Sequence, residues 1–567
     1  MSKTNFDIDN TQYDHVFNLL LSIFKFNNKK YGNFVKDTIK ILLEFEKNGE
    51  TIIDIDKSLI IFDLLEDGWP NKHLEILKDL GLIDSLNSPF MLVDRKLSLA
   101  KWSVKLDRVI NFFLKKINTY DPINSIVDKD DNKINQIKNI FKKSNLVFLQ
   151  GGPGTGKTTL IINLILEQLR IDNFLNIGIS APTGKATARL KESLNNQKNI
   201  SNRKFLDQIE FQTLHRWIFN SQNKSFKLKF RLKELDFFII DEMSMVNIDL
   251  IESVLSLLAR DCKIILVGDK NQLSPVNNCS IWNYLFEYSD NSLIKSCVVN
   301  LNKTYRNSGD IELISSLIFN NDDSLLNQKI KELEKDNKSK EVKIIKSREK
   351  NIPENLFNEI KAYLNKLNHS TSNLSKKKYI FDKTIGNLML NEKDLVNEIL
   401  LDLQRHLILC EKNTGLWSVE YLNEVILGQK KPYDLKTLEE GVPIMCTKNN
   451  NELGLSNGDI GVLIGLQNER KYLFRKFNNN NEEIVELIDP SNLENIVPAI
   501  ALTIHKSQGS ESKKVSILWS QKFRRNEYKG KWKKEDETIF FRDNFERRLF
   551  YTAITRAKKF LDIYYLS

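Results

Sequence analysis

An apolar run that breaks into Gly151-Gly152-Pro153-Gly154-Thr155-Gly156-Lys157-Thr158 leaves this chain few folds to choose from. Leu146 to Leu149, just before it, are continuously apolar, as in a strand buried on both faces. An apolar, helix-like run comes after the loop. Small residues in such a loop let backbone N–H groups curl around phosphate oxygens, and the helix N-terminus behind it favours an anion. The spacing matches G-x-x-x-x-G-K-[ST], with Gly151 and Gly156 as the fixed glycines. Lys157 then supplies positive charge at the β/γ-phosphates, and the Thr158 hydroxyl is placed for Mg²⁺. The chain is expected to bind a nucleoside triphosphate, and the surrounding sequence must say for what purpose.

The 567 residues, 41% of them hydrophobic, suffice for several packed domains. The net charge of +10 fits a polyanionic partner without requiring one. Cys262, Cys279, Cys297, Cys410 and Cys446 are scattered, with no C-x-x-C pair. They read as free thiols in a reducing compartment, not as zinc or iron–sulfur ligands. The N-terminus has no apolar signal core, and no uncharged apolar run reaches the roughly 18 residues of a membrane span. A cytoplasmic protein without membrane contact is expected.

Residues 1–120 carry apolar residues at helical spacing, as in "NFVKDTIKILLEFEKNG", and hold no nucleotide signature. They read as a mostly helical docking or scaffold domain. From 121 to 297, strand-like runs alternate with helical ones, the rhythm of a parallel sheet covered by helices. A second such region spans 298–567 and is interrupted at about 441–500 by short strands with Gly- and Asn-rich turns, a small β-rich insertion. The fold class expected is α/β: two parallel-sheet lobes, the second with that insertion, after a helical N-terminal domain.

Phe237 to Ile240 deliver Asp241 and Glu242 to a strand end, where ligands bind in open α/β sheets. Asp241 can hold Mg²⁺, and Glu242 can orient or deprotonate the attacking water. A further apolar strand ends in Gly268-Asp269, and Gln272 comes next with an amide suited to a γ-phosphate. Arg306 and Arg556 each fit an ordinary ion pair when taken singly, or a charge aimed at a phosphoryl-transfer transition state.

The ordered set "GGPGTGKTT", "APTGKATARL", "FQTLHRW", "IIDEMSMV", "VGDKNQLSPV", "KTYRN", "LTIHKSQGSE" and "YTAITRAKK" resembles the motif series of superfamily-one DNA helicases, and within it the RecD family. The resemblance runs from about residue 125 to the end, with "LGLSNGDIGVLIG" similar inside the insertion, and is faint before residue 120. It implies two RecA-like motor lobes, ATP with Mg²⁺, and arginine fingers at Arg306 and Arg556. Gln136 is implied as an adenine-reading residue on a poor local match. It places DNA contacts at Pro182, Thr183 and Lys185, at Thr213 and His215, and at Thr503, His505, Lys506, Ser507 and Gln508, where hydroxyls, amides and lysines hold a backbone without reading sequence. His215 and His505 also fit structural histidines. It implies movement from 5′ to 3′ on single-stranded DNA, unwinding of double-stranded DNA, and RecB-like and RecC-like partner subunits. The nuclease of such a complex is expected in a partner. Two alternatives stay open: a free-standing helicase of the same kind, and a non-motor DNA-binding subunit. The basic stretch 521–535, with Phe523, Tyr528 and Trp532 interleaved, fits a DNA-tracking loop or a solvated one.

Overall fold

A computed structural model describes residues 10–47, 49–56, 68–85, 87–117, 132–195, 208–222, 230–275, 278–287, 291–303, 309–335, 339–348, 350–376, 393–450, 452–465, 470–477, 483–520 and 544–566. Arg306 and the stretch 521–535 lie outside these. Contacts group the chain into two compact units. The first comprises Met1–Gly152, Lys157–Pro182 and Gln197–Asn302, and the second Pro153–Gly156, Thr183–Asn196 and Lys303–Ser567.

The first unit begins with the helices Asn10–Phe24, Asn28–Lys47, Asn71–Asp79 and Ala100–Lys116. The apolar stripes of the first three, with residues of the strands that follow, enclose a core in which Val35, Ile39, Leu42, Leu77, Phe90 and Leu97 are buried. A three-stranded antiparallel sheet, in the order Ile52–Asp54, Lys96–Leu99, Phe90–Val93, joins this helical domain. Strands this short carry too few residues for an alternating pattern to show. The helix Ala100–Lys116 lies along the helix Ile248–Leu257, with ion pairs Lys105–Asp249 and Arg108–Glu252. At its end the buried Lys116 donates to the carbonyls of Ala259, Arg260 and Cys262 at 2.6, 2.9 and 3.1 Å. Burial lowers the pKa of that ammonium, and the three carbonyls stand in for water.

A six-stranded parallel sheet completes the same unit. Its order is Ile209–Thr213, Ile177–Ala181, Phe237–Ile240, Lys263–Gly268, Leu146–Gly151, Val298–Leu301. The strand Phe237–Ile240 is buried throughout, which is why its sequence is unbroken in apolar residues. The first sheet runs past residue 297 through Val298–Leu301.

The second unit holds a parallel sheet in the order Val342–Ser347, Ala557–Leu566, Ser512–Trp519, His406–Cys410, Leu502–Thr503. A separate antiparallel sheet occupies the insertion, in the order Glu483–Ile488, Lys471–Phe477, Ile460–Ile464, Pro443–Cys446, Ile496–Pro498. The buried Glu440 ties it to the helix Glu354–Ser375, accepting from Ser372, from Ser375 at 3.0 Å and from the Gly465 N–H at 3.0 Å. The α/β class with two parallel-sheet lobes, a β-rich insertion and a helical N-terminal region is therefore the architecture observed. Among the described residues no helix is long and apolar enough to cross a membrane.

Candidate active site

The strand Leu146–Gly151 is second from one edge of its sheet and ends shortly before the helix Lys157–Ile171 begins. That helix buries Ile161, Ile162, Ile165 and Leu169, so its start is pinned beside the strand end. The loop between them turns on Gly154 at φ +77° and Gly156 at φ +82°, a region that costs a residue with a Cβ. Lys157 folds its ammonium over the loop, donating to the Gly151 carbonyl at 2.7 Å and the Gly152 carbonyl at 2.9 Å. Thr155 is buried, while Thr158 is half-buried as the helix opens.

Two strands away, Asp241 comes directly after Ile240. With strands about 4.8 Å apart, it stands roughly 10 Å across the sheet edge from the P-loop strand. Its N–H donates to the Ser180 carbonyl at 2.9 Å, and its Oδ1 accepts the Glu242 N–H at 2.8 Å. Glu242 has φ 55° and ψ 42°, a left-handed conformation that costs about 1–3 kcal/mol in a residue with a side chain. This strained turn lifts the glutamate out of the strand direction, and its side chain stays half-exposed.

Between those two strands runs Lys263–Gly268, which leads into Asp269 and Gln272. Asp269 is 1% exposed and organises the loop: Oδ1 accepts the Asn271 N–H at 3.0 Å, and its carbonyl accepts the Gln272 N–H at 3.2 Å. The Gln272 amide reaches Asp269 Oδ2 at 3.5 Å. Gln150, on the P-loop strand, accepts from the Lys270 N–H at 3.3 Å and from Trp282 Nε1 at 3.0 Å. It joins the P-loop strand to the Gln272 loop, a part that no motif announces. Its only signal is a polar residue closing the apolar run "LVFLQ". Gln136 lies on the helix Lys133–Phe141, and its Oε1 accepts from Lys133 at 3.3 Å.

In the second unit Arg556 is 2% exposed. Its Nε donates to the Thr552 carbonyl at 3.0 Å and Nη1 to the Ser510 carbonyl at 3.3 Å. Two of its five N–H groups are engaged by these bonds.

The hydroxyls expected at a nucleic-acid strand also serve local turns. Thr183 Oγ1 accepts the Ala186 N–H at 3.2 Å at the start of the helix Gly184–Asn195. Thr213 Oγ1 accepts the Arg216 N–H at 3.4 Å, Thr503 Oγ1 the Lys506 N–H at 3.4 Å, and Ser507 Oγ donates to the Ile504 carbonyl at 2.7 Å. Pro182 and Gln508 are half-buried, whereas His215 and Lys506 are exposed. Lys185 donates to Ser510 Oγ at 2.7 Å, and burial lowers its pKa against the pull of Asp459. His505 stacks on Phe545 with centroids 5.8 Å apart, and burial lowers its pKa.

The sequence profile described as an AAA domain matches residues 135–278, the stretch that carries the P-loop, Asp241, Glu242 and Gln272. The chain is 29% identical over 542 residues to the RecBCD enzyme subunit RecD of Buchnera aphidicola subsp. Schizaphis graminum, covering 87% of this chain and 84% of that protein. It is 28% identical over 580 residues to the protein of the same description from Buchnera aphidicola subsp. Acyrthosiphon pisum, covering 89% and 85%. A solved structure of Pif1 helicase from Bacteroides with ADP-AlF3 and single-stranded DNA overlaps 76% of this chain and 91% of that one, with a TM-score of 0.38 at 18% identity.

Proposed function

This chain is a member of the RecD family of superfamily-one DNA helicases, and from that premise we propose that it is an ATP-driven motor on single-stranded DNA. One observation carries the reading: the P-loop, Asp241 and the Gln272 loop leave the same edge of three neighbouring strands. An enzyme that only bound the nucleotide would need the first of these. One that hydrolyses it needs a water-handling carboxylate and a γ-phosphate contact as well.

In this reading the backbone of Gly151–Gly156 and the Lys157 ammonium bind the triphosphate. Thr158 and Asp241 offer a hydroxyl and a carboxylate, hard oxygen donors of the kind Mg²⁺ takes together with phosphates. Bound there, the metal neutralises phosphate charge. Glu242 orients the water and accepts its proton, and Gln272 reports the γ-phosphate. Arg306 and Arg556 stabilise charge on the transferred group, and Gln136 reads the base. The DNA backbone is held by the segments around Pro182–Lys185, Thr213–His215 and Thr503–Gln508. The two relatives are named as subunits of a RecBCD enzyme, so assembly with RecB-like and RecC-like chains belongs to the proposal, as do the role of residues 1–120 in docking and a cytoplasmic site of action.

The test is ATP hydrolysis by the purified chain with and without single-stranded DNA. Wild type should be stimulated by DNA, and Lys157→Ala should be inactive, because the β/γ-phosphates lose their main cation. Equal hydrolysis by both proteins would sink the motor reading. Co-purification with two large subunits separates the assembly from a free-standing helicase.

A further inference from the structure

The helix Asn28–Lys47 of the N-terminal domain ends in a turn with a specific geometry. The Gly49 N–H donates to the Glu46 carbonyl at 2.9 Å, and the Glu50 N–H to the Phe45 carbonyl at 2.9 Å. These bonds satisfy the last carbonyls of the helix and require a left-handed residue, which Gly49 supplies at φ +75°. The turn is also a contact. A Cβ on Gly49 would stand 2.5 Å from the Pro275 carbonyl oxygen and 2.5 Å from Ser274 Cβ. Ser274 and Pro275 belong to the loop that begins with Gln272. Beyond the turn, Thr51 donates its hydroxyl to Cys279 Sγ at 3.1 Å, at the far end of the same loop.

The loop is thus held from two sides. Asn283, on the helix Ile281–Glu287, donates to Ser274 Oγ. The Cys279 carbonyl accepts the Ile248 N–H at 3.1 Å, at the start of the helix that Lys105 pairs with through Asp249. No group at the contact has chemistry of its own: burial pushes the Cys279 thiol up to about 12, so it stays neutral. What the contact can do is fix where the loop backbone runs, and with it the Gln272 amide.

We infer that the N-terminal domain positions the γ-phosphate loop of the motor, with Gly49 and Thr51 as positioning residues. The inference rests on the proposed role of Gln272 at the γ-phosphate. It makes residues 1–120 more than a docking platform: a partner that shifts this domain shifts turnover, while the P-loop and nucleotide affinity stay as they are.

The experiment uses the full-length chain and measures kcat and KM for ATP at saturating single-stranded DNA, together with ADP affinity. Thr51→Val should lower kcat about threefold and Gly49→Ala about tenfold, with ADP affinity within about twofold of wild type. Thr51→Ser, which keeps the hydroxyl, should restore kcat. A contact that only stabilised the fold would shift the melting temperature and leave kcat of the folded fraction alone. Wild-type kcat in a folded Thr51→Val protein overturns the inference and leaves the motor reading intact. Absence of hydrolysis in wild type overturns both. Should Gly49→Ala not fold, the Thr51 pair decides.

Discussion

Arg556 shows how one side chain can be read in two ways at once. Its guanidinium is buried and bound to the Thr552 and Ser510 carbonyls, so part of its role is to hold the segment Thr503–Ser510 against the helix Asn544–Ile554. Truncation to Ala takes this donor from the Ser510 carbonyl, at about 1–3 kcal/mol, while the Thr552 carbonyl still accepts the Thr555 hydroxyl at 3.1 Å. Arg556→Lys keeps the charge and loses the planar fork. If Arg556 is a finger, Arg556→Ala should cut kcat by roughly 100-fold or more while nucleotide affinity changes little, and Arg556→Lys should recover little of it. Recovery of wild-type kcat by Lys would refute the finger role. His406 makes a different kind of prediction. Its ring Nε2 lies 2.8 Å from Ser516 Oγ, and burial, then the charge of Lys514, push its pKa down to about 4 against the opposing pull of Asp562. Unfolded, the ring takes its proton near pH 6.5. Between these values the folded chain binds fewer protons than the unfolded one. The stability from His406 is therefore complete above pH 6.5 and lost as pH falls towards 4, about 2 kcal/mol of it by pH 5. Urea unfolding at pH 7 and pH 5 should show a smaller acid loss in His406→Gln than in wild type.

At the scale of elements, connections between sheets and helices depend on single buried polar residues. Glu440 accepts from Ser372, Ser375 and the Gly465 N–H, so the antiparallel sheet and the helix Glu354–Ser375 share one carboxylate. Glu440→Ala strands the Ser372 hydroxyl and the Gly465 N–H, the Ser375 hydroxyl keeping the Ser372 carbonyl at 3.2 Å, and should cost about 2–4 kcal/mol, seen as a lower urea midpoint. Glu440→Gln keeps one oxygen and should cost less. An unchanged midpoint in Glu440→Ala would mean that the joint is held by its other contacts, among them the Asn368 amide donating to the Glu440 backbone carbonyl at 2.9 Å. The hydroxyls of Thr183, Thr213 and Thr503 belong to this scale too. Sequence chemistry offered them to DNA, while in the fold each accepts a backbone N–H in a local turn. Nothing in the motif strings distinguishes a cap from a contact, because a hydroxyl at a strand end suits both. A hydroxyl keeps a donor and a second lone pair after accepting one bond, so the two roles are compatible.

For the whole molecule, the proposed motor predicts a direction. Strand displacement should occur on duplexes with a 5′ single-stranded tail, and unwinding confined to 3′-tailed duplexes would reverse the assignment. DNA-stimulated hydrolysis should also fall steeply with added salt, since backbone contacts release counterions. The sequence by itself determined the elements and their chemistry. A run buried on both faces reads as unbroken apolar residues, a phosphate loop needs glycines and a lysine at set spacing, and parallel strands deliver the residues at their C-terminal ends to one edge. That is why residues 151–158, 241–242 and 272 could each be placed at or just after a strand end from the amino-acid order alone, while the strand order brought those ends side by side. Only the tertiary structure decided which distant segments meet: Gly49 against Pro275, Thr51 against Cys279, Gln150 between Lys270 and Trp282, Glu440 between a helix and a sheet. Such contacts join residues far apart in the chain through ordinary side chains and bare backbone. They leave no periodicity and no motif, because what selects them is the packing of whole elements, not the local preference of either segment.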